Sequence, residues 1–129
     1  MPQIKVYLNE AGRKIVKPDT FNDLGICLIH AVETAFCIEG KNDVAFDIFE
    51  VAYTKNESPV QIEVLYTVGT DDYGRGELFD PPEEVRRSVT EKILWEFSDF
   101  RRLHSIAETT PSVWIRPQHN STFTPGSQT

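Results

Sequence analysis

Apolar residues recur along this chain with two periods, and the stretches over which each period holds predict the elements. Residues 3 to 8 alternate, with Ile4, Val6 and Leu8 against Lys5 and Tyr7, the period of a half-buried strand. Residues 60 to 68 alternate more strictly, Val60, Ile62, Val64, Tyr66 and Val68 standing against Gln61, Glu63 and Thr67. Between them "VAFDIFEVAYT", residues 44 to 54, is rich in β-branched and aromatic side chains, but its apolar phase shifts between Ile48 and Phe49. A bulge would explain the shift, and so would burial on both faces. The helical period governs Phe21, Leu24, Leu28, Ala31, Val32 and Ala35, with Ile26 and Ile29 widening the apolar surface. Pro18 and Asp19 announce this helix, and Thr20 with Asp23 has the spacing of a capping box. A second helix carries Val85, Val89, Ile93, Phe97 and Phe100. Asp80 is its expected N-cap, Pro81 its first residue, and Glu83 and Glu84 complement the positive end of its dipole. Its end falls between Phe97 and His104, and a short last strand, "SVWIR", follows.

The order is therefore strand, helix, strand, twice over. Each half predicts a crossover between parallel strands, and together they give an α+β fold: a mixed four-stranded sheet with both helices on one face. Residues 1 to 117 form the predicted domain and residues 118 to 129 a C-terminal tail. The helix-free face of the sheet carries Lys5, Tyr7 and Glu63 together with Leu65, Trp114 and either Phe46 or Phe49. That face is too apolar for water and is expected to be a subunit interface.

Composition narrows the partners. With 129 residues, 40% of them hydrophobic, the chain has the size and balance of one globular domain. No apolar run approaches the roughly 20 residues of a membrane span, and no secretory signal opens the chain, so a cytoplasmic protein is expected. Its net charge of −7 repels phosphate backbones and argues against nucleic acid as a partner. An anionic ligand must then be held by a few placed cations. Cys27 and Cys37 share one predicted helix about 15 Å apart, too far for a disulfide. The histidines, at positions 30, 104 and 119, lack metal-ligand spacing.

Two features remain for chemistry. Pro2 follows Met1 directly at the head of the first strand; methionine removal ahead of so small a side chain would leave a free secondary amine there. "GTDDYGRGELFD", residues 69 to 80, has three glycines and no sustained period, and reads as a loop of functional length. A proline in this position, heading a doubled β-α-β chain of this size, resembles the tautomerase superfamily. Within it, "VAFDIFEVAYT", "VQIEVLYTVG" and "SVWIRPQHNSTF" look most like a group of small uncharacterised bacterial tautomerase-like proteins.

What the resemblance implies is specific. Pro2 would be the proton-transfer group; a prolyl amine pushed down by apolar walls and neighbouring guanidinium groups is a base poised near neutrality. Arg13, in "NEAGR", resembles the family's arginine after the first strand, with one extra residue before it. Arg75, in "YGRGE", resembles by position the loop arginines with which decarboxylase and dehalogenase members bind substrate; the alternative for both arginines is a solvated loop residue. Asp43, in "KNDVAF", resembles an acidic residue that assists in the decarboxylases, but reads first as a turn aspartate ahead of a strand. His30 matches a helix histidine of one dehalogenase type by position, but it lies opposite the apolar stripe and reads as a surface residue. Tyr53, Tyr73 and Trp114 are pocket-wall candidates or packing aromatics. The implied activity is a cofactor-independent, metal-free keto-enol isomerisation of a small anionic 2-oxo acid or enol by a homotrimer, with decarboxylase- or hydratase-type chemistry also open to it. The alternative is a non-catalytic trimeric binding or assembly module on the same fold. Two departures stand out: "VAFDIF" has no basic residue where oxalocrotonate tautomerases place an arginine, which disfavours a dicarboxylate substrate, and residues 98 to 111 exceed the family's usual connection, so they either cover the pocket or lie on the surface.

Overall fold

The computed structural model describes residues 2–36, 44–54, 57–68 and 83–119. Its strands are β1 (Gln3–Leu8), β2 (Ala45–Glu50), β3 (Val60–Val68) and β4 (Ser112–His119). They form one sheet in the order β2-β1-β3-β4. Each half contributes a parallel pair, β1 with β2 and β3 with β4, and the halves join through the antiparallel pair of β1 and β3. The mixed sheet read from the sequence is the one observed. The principal helices, α2 (Phe21–Phe36) and α3 (Glu83–Leu103), cover one face. Cys27 is a free thiol. No described helix is long and apolar enough to cross a membrane.

Alternation explains the core. Ile4, Val6 and Leu8 of β1 and Val60, Ile62 and Val64 of β3 all point to the helices and are fully buried. Leu24, Leu28, Ala31 and Val32 of α2 meet them, as do Val89, Ile93, Phe97 and Phe100 of α3, so each helix buries one stripe at helical spacing. Ile29 packs against this core, whereas Ile26 is 59% exposed and does not extend the buried stripe as its hydrophobicity suggested. In β2 the pairing with β1 runs unbroken from Gln3 with Ala45 to Leu8 with Glu50, so no bulge interrupts it. Nor is the strand buried on both faces, because Phe49 is 40% exposed. Phe46 and Ile48 face the helices, while Phe49 lies on the open face and stacks on Tyr7, ring centroids 5.4 Å apart.

Two local features depart from the reading of the sequence. A short helix, α1 (Glu10–Ile15), follows β1 directly, capped by the Asn9 side chain, which accepts from the Gly12 backbone N–H (2.9 Å). Thr20 does not cap α2. Its hydroxyl donates back to the Lys17 carbonyl (2.7 Å) and closes a 3₁₀ turn, Pro18–Thr20, that runs into the helix, while Asp23 meets His104 (3.1 Å). The anticipated cap of α3, Asp80 and Pro81, lies outside the described residues.

The far end of α3 falls inside the expected range and closes with a Schellman motif. The Ile106 N–H bonds the Arg101 carbonyl (2.9 Å), the Ser105 N–H bonds Arg102 (3.3 Å), and Ser105 takes the left-handed conformation with φ 56°. A side chain there costs about 1 kcal/mol, partly offset by the greater freedom glycine has in the unfolded chain. Ser105→Gly is therefore expected to stabilise the protein by about 0.5 kcal/mol and Ser105→Val to destabilise it, measured by urea denaturation. The segment after α3 lies at the end of the sheet where β4 begins, Ser112 pairing with Gln61. That is the end away from Pro2.

Candidate functional site

The two ends of the sheet hold different chemistry, and the register assigns each candidate to an end. Pro2 sits at the head of β1 with its carbonyl held by the Ala45 backbone N–H (3.2 Å). It shares the phase of Ile4, Val6 and Leu8, so its ring faces the helices, and it is buried. The β1–β3 register, Ile4 with Val64 and Gln3 with Leu65, places Tyr66 opposite Pro2 on the same face. Tyr66 is 3% exposed, and its ring packs against Phe36, the last residue of α2, centroids 6.3 Å apart. While Met1 is attached, the Pro2 nitrogen is an amide and has no basicity. Once free, it would be a secondary amine at the buried head of β1.

Chain direction brings further segments to this end. β2 begins here and β3 ends here, at Ala45 and Val68, and α2 finishes here at Phe36. Asp43 and Arg75 lie outside the described residues, as does Tyr73. In sequence Asp43 immediately precedes Val44, next to β2, and Arg75 falls between β3 and α3.

Arg13 is at the opposite end. One of its terminal guanidinium nitrogens donates to the carbonyls of Leu8 (3.4 Å) and Val51 (3.2 Å), tying α1 to the exits of β1 and β2. Six residues of strand separate Leu8 from Pro2, about 20 Å. A single chain therefore does not bring Arg13 to the Pro2 ring. His30 is exposed on the helix layer, as its phase indicated, and meets Glu96 of α3 (3.3 Å).

The open face of the sheet carries a polar network that the sequence did not reveal. The Tyr7 hydroxyl donates to Glu63 Oε1 (3.0 Å), and Arg116 Nε lies 3.5 Å from Glu63 Oε2 while its guanidinium covers the Trp114 ring at 4.5 Å. Alternation put Tyr7 and Glu63 on this face, but only the β3–β4 register brings Arg116 beside them. Tyr7, Gln61, Glu63 and Arg116 line a shallow cleft of about 250 Å³, with Tyr53, 82% exposed, at its rim. Burial pushes the Tyr7 phenol above its ordinary range, and the hydrogen bond and negative charge of Glu63 push the same way, against a smaller opposing pull from Arg116. Glu63→Gln removes the charge, so one of the four tyrosines is expected to titrate at lower pH, followed by phenolate absorbance. An unchanged titration curve would show that Glu63 does not act on Tyr7. Among the described residues no three His, Cys, Asp or Glu side chains group as a metal site.

No protein-family model and no curated protein sequence matches the chain. Solved structures share its fold. A malonate semialdehyde decarboxylase superposes with TM-score 0.58 at 13% identity, covering 96% of this chain and 90% of that one. A 5-carboxymethyl-2-hydroxymuconate isomerase from Deinococcus radiodurans R1 gives 0.58 at 10% identity, covering 95% and 87%. A fused 4-OT in a symmetric trimer gives 0.60 at 11% identity, covering 94% and 89%. These three are tautomerase-superfamily proteins, and at such identities they show that the chain has the tautomerase fold.

Proposed function

We propose that the protein is a cofactor-independent tautomerase whose Pro2 amine, freed by removal of Met1, moves a proton on a small anionic 2-oxo acid. One observation carries the reading: the residue behind Met1 is buried at the head of β1, on the helix side of the sheet, opposite Tyr66. An amine so placed is disfavoured in its protonated form and can act as base near neutral pH. In the forward step the neutral amine takes a proton from the carbon next to the keto group, and the C–H electrons form the enol double bond as charge moves to the keto oxygen. The protonated amine then returns its proton to that oxygen, and the reverse sequence converts enol to ketone. A guanidinium that grips the carboxylate bidentately also stabilises the developing oxyanion.

Arg75 is our candidate for that guanidinium, and Asp43 for an acidic group beside the substrate. Both fall in segments whose described neighbours adjoin the Pro2 end. Arg13 joins such a site only where a second copy of the chain lays its α1 alongside. The open sheet face, with Phe49 stacked on Tyr7 and Arg116 on Trp114, suits assembly through that face, and the trimeric form of the fused 4-OT supports a homotrimer.

Intact mass and an enol assay together test the reading. The expected results are a mass lacking Met1 and ketonisation of phenylenolpyruvate by the processed protein. Retained Met1 would block the amine and overturn the proposal. A processed protein inert toward the enol would favour a binding or assembly module.

A further inference from the structure

The proposed chemistry occupies the Pro2 end of the sheet; the other end holds a cleft that it leaves unused. Lys14, Lys17, Asp19 and Thr20, from α1 and the turn ahead of α2, line it together with His104 and Ser105, which follow α3, around a volume of about 500 Å³. We infer that this cleft binds the phosphate group of a small anionic ligand, held by the ammonium groups of Lys14 and Lys17 and the hydroxyl of Ser105. The inference does not depend on the role of Pro2. Because the chain carries a net charge of −7, two unpaired lysines on one cleft stand against its general field. Among the described residues neither ammonium group has a hydrogen-bond or ion-pair partner, and neither has the Ser105 hydroxyl.

The walls are held by bonds that serve the fold. On one side Asn9 and Arg13 tie α1 down. On the other, the Schellman turn fixes Ser105 and Ile106 and uses the last α3 carbonyls, so the negative end of that helix is answered by its own N–H groups. Arg101 donates to the Ile106 carbonyl (3.2 Å) and adds a cation behind the turn. Ser105 holds a left-handed backbone where glycine would cost less, and a hydroxyl is what its side chain adds there. The charge balance favours an anion. Lys14, Lys17 and Arg101 stand against Asp19, whereas Asp23 is held by His104 and Asp99 by Arg102 (3.6 Å). Ammonium groups are point charges with three donors each, which suits a tetrahedral dianion; a planar carboxylate is better met by the fork of a guanidinium.

The test needs no turnover. The full chain, labelled with ¹⁵N and followed through the amides of Ser105, Ile106 and Ala107, is titrated with inorganic phosphate, methyl phosphate, malonate and sodium chloride at matched ionic strength. Saturable shifts are expected with both phosphates and weaker ones with malonate. Tighter binding of methyl phosphate would identify a phosphomonoester as the ligand, and tighter binding of phosphate the free ion; both uphold the site. Lys14→Gln and Lys17→Gln are each expected to weaken binding about tenfold, the loss of one charge-assisted hydrogen bond. Asp19→Asn should tighten it. These side chains are exposed, so the variants are expected to fold, and a thermal melt checks it. Ser105→Gly removes the hydroxyl from a protein expected to gain stability, so weaker phosphate binding by that variant separates the site from the fold. Lys92→Gln, about three and a half turns earlier on α3, should bind as wild type does. A response to chloride equal to that to phosphate, malonate bound as tightly as phosphate, or wild-type affinity in the Lys14→Gln, Lys17→Gln double variant would each overturn the inference.

Discussion

Pro2→Ala, processed to the same free terminus, is expected to lose enol turnover by about 10²-fold or more, the usual contribution of a positioned acid-base group. The substitution leaves an amine, so the loss measures placement and intrinsic basicity rather than the mere presence of a nitrogen. Two changes act together. A primary alanyl amine is less basic than a secondary prolyl one, and without the ring nothing fills the space opposite Tyr66, so water reaches the nitrogen. The strand should survive, because Pro2 lies ahead of the first ladder residue, Gln3, and its carbonyl still accepts from Ala45. Stability close to wild type with a large fall in kcat/KM is thus the expected pair of measurements. Equal turnover by both proteins would place the chemistry elsewhere.

Much of this site was legible in the chain because strand phase survives folding. The alternation of residues 3 to 8 and 60 to 68 fixed which side chains face the helices, but only the β1–β3 register, ending at Gln3 with Leu65, brings Tyr66 to the Pro2 end. Register between strands was not legible, since Arg116 meets Glu63 only through a parallel pairing set by the α3 crossover. Arg13 follows β1 directly in sequence, but a strand carries its two ends about 20 Å apart, so within one chain the arginine lies at the end away from Pro2. Thr20 resembles a cap by spacing, yet the proline two residues earlier favours a 3₁₀ turn that claims its hydroxyl for Lys17. Short helix α1 has no full apolar period to read; what defines it is Asn9, whose side chain bonds residues distant in sequence.

That knot around Asn9 makes Gly12→Ala the most damaging small substitution we expect. A Cβ at position 12 would lie 2.0 Å from the Pro59 carbonyl oxygen and 2.9 Å from its carbon, closer than real side chains approach backbone. Neither side can yield cheaply. Gly12 is fixed by its N–H to Asn9 Oδ1, and Asn9 Nδ2 in turn donates to the Ser58 carbonyl (3.1 Å) and to Thr54 Oγ1 (3.3 Å). Thr54 is itself buried and donates to the Ser58 carbonyl. Moving α1 away from Pro59 would break these bonds and pull Arg13 from the strand carbonyls, leaving buried groups unsatisfied at about 1 kcal/mol or more each. The expected loss is about 3 kcal/mol, or on the order of 10 °C in Tm. Gly25→Ala provides the contrast. The atoms nearest its Cβ would be those of the Phe46 ring, at 3.1 Å, a side chain able to tilt, and alanine gains about 1 kcal/mol of helix propensity inside α2. Near-wild-type stability is expected there. If denaturant melts rank the two substitutions equally, the contact between α1 and Pro59 is not the constraint its geometry indicates, and the far end of β1 is held by other means.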